Sequence, residues 1–159
     1  MIVLGVDPGF SVTGWAIISK QGNTQVLLAH GFLPLPTKKE LHDRIGIFYE
    51  FFAQKIKMYA VTHLALETPF LGKNAQTFLK LGYLRGVVCL MAYQNNLILH
   101  EFSPREVKRA ITGFGGAQKD QVARVLQMLF PGLPQPKTYD VTDAVAVSLC
   151  GVWHRPIIL

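Results

Sequence analysis

Residues 1–10 read MIVLGVDPGF. Ile2, Val3, Leu4 and Val6 run together without polar alternation, the pattern of a central strand buried on both faces. Asp7 closes the run, and Pro8-Gly9 breaks it. A carboxylate is therefore held where a buried strand ends, either as an ordinary turn residue or as a ligand.

The following sequence builds a sheet around this strand. Trp15–Ser19 and Gln25–Phe32 are rich in β-formers and flank the turn-like Gln21-Gly22-Asn23. Strands one to three are expected as an antiparallel meander, ended by Pro34 and Pro36. Thr37-Lys38-Lys39-Glu40 matches a capping box, and Leu41, Ile45, Phe48, Phe52 and Ile56 then mark one helical face. Ala60–Leu66 reads as another buried strand, followed by Glu67. A long helix fits Ala75–Gln94, and a fifth strand fits Leu97–Phe102. Ser103-Pro104-Arg105-Glu106 is a second capping box, with proline at the favoured first helical position; its helix ends near Thr112. After the flexible Gly113-Phe114-Gly115-Gly116, the residues Val122, Val125, Leu126 and Leu129 mark another helix. Pro131, Pro134 and Pro136 stiffen the connection to a last helix, from about Tyr139 to Gly151. The order βββαβαβααα describes one α/β domain over residues 1–159, with a mixed sheet covered by helices.

Half of the 159 residues are hydrophobic, which argues against disorder and supplies one sizeable core. No apolar run reaches the ~18 residues of a membrane span; the longest is Val87–Tyr93. The start lacks the basic segment and small-residue cleavage site of a signal peptide. Cys89 and Cys150 lie in apolar helical patterns and read as reduced core thiols, which fits a cytoplasmic protein. The net charge of +6, from 16 basic and 10 acidic residues, favours a polyanionic partner, nucleic acid being the commonest.

Most acids have bland readings. Glu40 and Glu106 complete capping boxes, Asp43, Glu50 and Asp120 sit on solvated helix faces, and Glu101 alternates outward on its strand. Four resist that account. Asp7 and Glu67 each follow an apolar strand at its C-terminal end, where open α/β sheets place ligands. The two strands are the most apolar in the chain and are expected as central neighbours. Asp140 and Asp143, at i and i+3, share one face of a helix start. Each could be merely a turn residue, a cap or an exposed strand end. If all four converge, their mutual repulsion is costly without a cation. Four carboxylates with no His or Cys nearby in sequence suit a hard cation, Mg²⁺ or Mn²⁺. The five histidines, His30, His42, His63, His100 and His154, show no zinc-ligand spacing. Acid clusters that hold two ions about 3.5–4 Å apart are a standard device for phosphodiester hydrolysis.

At this point the sequence resembles the RuvC family of bacterial Holliday-junction resolvases. The resemblance runs end to end, through GVDPGFSVTGWAII at 5–18, ALETPF at 65–70, GKNAQTFLKLGYLRG at 72–86, SPREVKRAITGFGGAQKDQV at 103–122 and YDVTDAVAVS at 139–148. It implies a ribonuclease-H-like fold with a five-stranded mixed sheet. It further implies a homodimer, and Mg²⁺-dependent nicking of two opposed strands at a four-way DNA junction in recombination and repair. A branch-migration motor complex is implied as a partner. The family's four catalytic acids fall on Asp7, Glu67, Asp140 and Asp143. Its two essential lysines fall on Lys108 and Lys119; a lysine beside a scissile phosphate can offset charge developing in the transition state. The matching aromatic is Phe70, a stacking wedge near the junction centre in the family. Lys73, Asn74, Lys80, Arg85 and Arg105 are candidate DNA contacts.

From Leu84 to Tyr93 the long helix is apolar nearly all round, so it is either a core helix or a helix with a second face buried against its copy. Other readings stay open. Sugar kinases and actin-like ATPases also place a phosphate loop after a first strand with Asp and Gly, but they need two such domains. Another ribonuclease-H-like nuclease, or a non-catalytic junction-binding protein, would share much of the pattern.

Overall fold

The N-terminal apolar run becomes β1 (Ile2–Asp7), the middle strand of a five-stranded sheet. The other strands are β2 (Val12–Gln21), β3 (Thr24–Pro34), β4 (His63–Glu67) and β5 (Ile98–Phe102), in the order β3-β2-β1-β4-β5. This computed structural model describes residues 1–68, 75–134 and 138–154. β1 to β3 form an antiparallel meander, while β1–β4 and β4–β5 pair in parallel. Helices cover both faces: α1 (Leu41–Tyr59), α2 (Ala75–Gln94), α3 (Pro104–Thr112), α4 (Lys119–Leu129) and α5 (Asp140–Trp153). The ribonuclease-H-like arrangement expected from the sequence is the one observed.

The lack of polar alternation in β1 has a direct cause. Leu4 and Val6 pack with Leu64, Leu66, Trp15 and Ile17 under Phe48 and Phe52 of α1 and Leu84 and Val88 of α2. Val3 points the other way, with Ala16, Ile18 and Ala65, against Ala144, Val145 and Val147 of α5. Side chains alternate across a strand with a period of two. Asp7 therefore falls on the α5 side with Val3, and Glu67 falls there with Ala65.

Two glycines let α5 lie close to the sheet. A Cβ on Gly5 would stand 2.6 Å from the Ala144 carbonyl oxygen, and one on Gly14 only 1.9 Å from that of Asp140. Gly14 is the register partner of Asp7. The first turn of α5 is thus seated beside the end of β1. Deeper in, the buried Ser148 hydroxyl donates to the Val3 carbonyl at 3.1 Å.

Several boundaries differ from the sequence reading. Thr37 forms no capping box: Lys39 N–H donates to the Pro36 carbonyl, residues 37–39 are spent in a turn, and extended Glu40 becomes the cap of α1 without a side-chain bond. Pro34 does not end β3 but closes it, which an edge strand allows because no donor is needed there. β2 is longer than expected, running from Val12 to Gln21. β4 begins at His63 and not at Ala60, because Ala60 takes a left-handed conformation that ends α1. Cys150 is buried, but Cys89 is exposed on α2 and is not a core thiol. Leu41 is exposed, so the buried face of α1 starts with Arg44. The capping box at Ser103 and Glu106 forms as expected, each side chain bonding the other's backbone N–H. No helix among the described residues is long and apolar enough to cross a membrane.

Candidate active site

Asp7 and Glu67 end neighbouring parallel strands, and Asp140 and Asp143 occupy the first turn of α5 on the same face of the sheet. The four acids act on one another electrostatically. Asp7 is pushed up to about 7, first by burial, then by Asp143 and Glu67, with Asp140 adding a smaller push. Glu67 is also pushed up to about 7, by burial and then by Asp143. Burial raises Asp143 too, although Lys119 works against the shift. These acids crowd one another with too little countercharge.

Lys119, the first residue of α4, supplies part of that charge. Its ammonium lies 2.5 Å from Asp143 Oδ2 and 5.7 Å from the centroid of the Tyr139 ring. Burial disfavours the ammonium, but the hydrogen bond to Asp143 and the charges of Asp143, Asp7 and Glu67 outweigh it and raise its pKa. Lys108 of α3 lines the same cleft, about 150 Å³ in volume, with Glu67, Lys119, Val122 and Asp143. Its positive charge lowers both Glu67 and Asp143. The glycine loop between α3 and α4 thus brings two lysines, eleven residues apart in sequence, to one group of acids.

The β1–β2 turn that carries Asp7 is braced. The buried Thr13 hydroxyl donates to the Gly9 carbonyl at 3.0 Å and accepts from Gly9 N–H at 3.3 Å. Arg44 of α1 donates to the Phe10 carbonyl, and its guanidinium stacks 4.1 Å from the centroid of the Phe10 ring. Sequence reading passed over both residues. Neither has a local motif, since each acts on a turn through a tertiary contact.

Of the other expected DNA contacts, Lys80 is exposed on α2, with Nζ 5.9 Å from the Phe10 ring centroid. Arg105 is exposed on α3, its stem packed over Gly115. Arg85 lines a second cleft, about 110 Å³, with Asp7, Pro8, Glu67 and Leu81. Phe70, Lys73 and Asn74 lie outside the described residues. A larger cavity, about 540 Å³, lies between Gln25–His30 and Leu129–Leu133, holds no acid, and is remote from this chemistry.

Residues 3–151 match the family model described as crossover junction endodeoxyribonuclease RuvC. The chain belongs to the RuvC family. A RuvC from Pelodictyon phaeoclathratiforme is 44% identical over 150 residues, covering 94% of this chain and 78% of that protein. One from Halothermothrix orenii is 39% identical, covering 94% and 91%. Among solved structures, Thermus thermophilus RuvC in complex with a Holliday junction substrate superposes with a TM-score of 0.89 at 23% identity, over 96% of this chain and 93% of that one. Fowlpox virus resolvase with its junction DNA gives 0.65 at 16% identity, over 95% and 96%. At such identities the structural likeness speaks for the fold, and membership in RuvC rests on the sequence matches.

Proposed function

We propose that this RuvC-family chain is a structure-selective endonuclease. It resolves four-way DNA junctions in recombination and repair by paired, Mg²⁺-dependent phosphodiester hydrolysis. The observation that carries the reading is the electrostatic coupling of Asp7, Glu67 and Asp143, with Lys108 and Lys119 lining the cleft beside Glu67 and Asp143. A module that only bound DNA would gain nothing from buried acids, which repel a polyanion.

The donor chemistry fits a hard divalent ion. Every acid in the cleft offers carboxylate oxygens, and the raised Asp7 and Glu67 are short of positive charge. Among the described residues no three carboxylate, imidazole or thiol groups are already set around one point. Lys119 instead lies against Asp143. Asp7, Glu67, Asp140 and Asp143 would hold Mg²⁺, or Mn²⁺, two ions per site in this reading. Such ions, when bound, would supply an activated water and neutralise the leaving oxygen. Lys119 and Lys108 face the cleft and offset charge that grows on the scissile phosphate. β1, β4 and the first turn of α5 hold the acids in place, so little reorganisation is needed.

The DNA side rests on Phe70 as a stacking wedge and on Lys73, Asn74, Lys80, Arg85 and Arg105 as backbone contacts. For the partner we infer a homodimer through α2. Leu84, Val88, Met91 and Ala92 face the core, while Leu79, Tyr83, Leu90 and Tyr93 remain exposed on the other side, Tyr93 at 83%. A two-fold dimer would present two clefts to two strands of a nearly symmetric junction. A branch-migration motor and a cytoplasmic location belong to the same reading. The test is a pair of assays on a labelled four-way junction. Asp140→Asn should bind it and fail to cut it in Mg²⁺; undiminished cleavage would remove Asp140 from the site.

A further inference from the structure

We propose that Glu101 is a positioning residue that aims Arg85 at a DNA phosphate beside the one being cut. This rests on the nuclease reading above and gives the α2 side of the cleft a defined role.

Arg85 Nε and Nη2 both donate to Glu101 Oε1, at 2.9 and 2.6 Å. A guanidinium carries five N–H donors in a rigid fork. Two are fixed on Glu101, and no other acceptor among the described residues takes the rest. The fork is therefore held from one edge while its other edge stays open to a ligand.

Where it is held matters. Arg85 shares its cleft with Asp7, Pro8, Glu67 and Leu81. Leu81 lies one turn earlier on α2, so both side chains face the same way. Glu101 pairs in register with Leu66 on β4, on the α1 and α2 side of the sheet, one residue before Glu67. Glu67 lines this cleft and also the one holding Lys108, Lys119 and Asp143. It is a wall between two cationic sites. A DNA strand that presents its scissile phosphate to the lysine side would pass a neighbouring phosphate to Arg85.

The pair has little value as a stability device. Its side chains are 34% and 36% exposed, and ion pairs so open to water add little to folding. An acid beside the path of a polyanion is also unfavourable by simple charge. Its presence beside Arg85 is explained by orientation, because a guanidinium already fixed loses less freedom when it grips a phosphate.

Opposite signs separate the two views. If Glu101 only adds negative charge, Glu101→Gln should tighten junction binding. If it aims Arg85, the same substitution should weaken it. The experiment measures binding of a labelled four-way junction across a salt series without Mg²⁺, and single-turnover cleavage at saturating enzyme with Mg²⁺. The proteins are the wild type, Arg85→Gln, Glu101→Gln and the double variant. We expect either single change to weaken binding roughly tenfold and to lower the salt slope by about one. The double variant should be no worse than Arg85→Gln, and melting temperatures should be unchanged. Unchanged or tighter binding by Glu101→Gln, or additive losses in the double variant, would overturn the positioning role. If the wild type itself leaves the junction uncut in Mg²⁺, the nuclease reading falls and this inference with it.

Discussion

Asp7 shows how one residue trades stability for chemistry. Burial and three neighbouring acids raise it from 3.8 to about 7. A carboxyl raised in the fold stabilises the protein below its unfolded value, and that contribution is lost as pH rises through about 7. Asp7→Asn should therefore stabilise the metal-free protein at pH 8, by on the order of 2 kcal/mol, while abolishing cleavage. Thermal unfolding in a chelator checks this, and a lower melting temperature for the variant would show that Asp7 is not strained. Lys119 works in the opposite sense, as the cation against Asp143. Lys119→Ala should lower the single-turnover rate by about 10²–10³, the scale for losing one electrostatic stabiliser of a transition state. Asp7 was legible in sequence because an apolar run made its charge conspicuous. The Arg85–Glu101 pair was not, because its partners are sixteen residues apart and meet only when α2 folds over β5.

At the level of elements, α5 sets the site. It is buried from Thr142 to Val152 except for Asp143, and its first turn reaches β1 only because Gly14 has no side chain. Gly14→Ala would drive a Cβ into the Asp140 carbonyl. We expect a stability loss of about 1–3 kcal/mol and a larger proportional loss of cleavage, read by denaturant unfolding beside single-turnover kinetics. A variant with reduced stability and full activity would mean that α5 can shift without disturbing the acids. Helix α4 was legible from the period of its apolar residues, and α3 from the Ser103 capping box. The start of α1 was not, because Thr37 and Glu40 have the right spacing but a turn at Pro36 consumes the residues between them. β4 was placed too early because Ala60 reads as a strand residue, whereas it ends the preceding helix.

The far end of α5 adds a stability device. His100 stacks 5.4 Å from His63 and lies 4.9 Å from His154, between ring centroids. Burial, then His154 and His63, lowers His100, and burial with the N-terminal charge lowers His63. A histidine lowered in the fold contributes stability that is present above its unfolded value of 6.5 and lost as pH falls through the folded value. Melting temperature should drop between pH 7.5 and 5.5, and His100→Phe should flatten that dependence. An equally steep profile in the variant would place the sensitivity elsewhere.

For the whole molecule, one sheet carries two opposed jobs. Its α5 face builds the acid cleft, and α2 on the other side leaves Leu79, Tyr83, Leu90 and Tyr93 uncovered. The fold, and the placing of Asp7 and Glu67 at the ends of neighbouring central strands, could be read from the chain because burial pattern and charge placement agree in sequence. Lysine placement and the two-sided cleft depend on loop and helix packing that no local pattern encodes. Leu90→Asp should give a monomer by sedimentation and break the pairing of the two cuts, leaving single nicks. The most direct measurement uses a four-way junction with a distinct label on each strand, sampled over time in Mg²⁺ and in chelator. Cuts are expected in two opposed strands, in Mg²⁺ only, with linear duplex of the same sequence left intact. Equal cutting of the linear duplex, or cutting that persists in chelator, would contradict this.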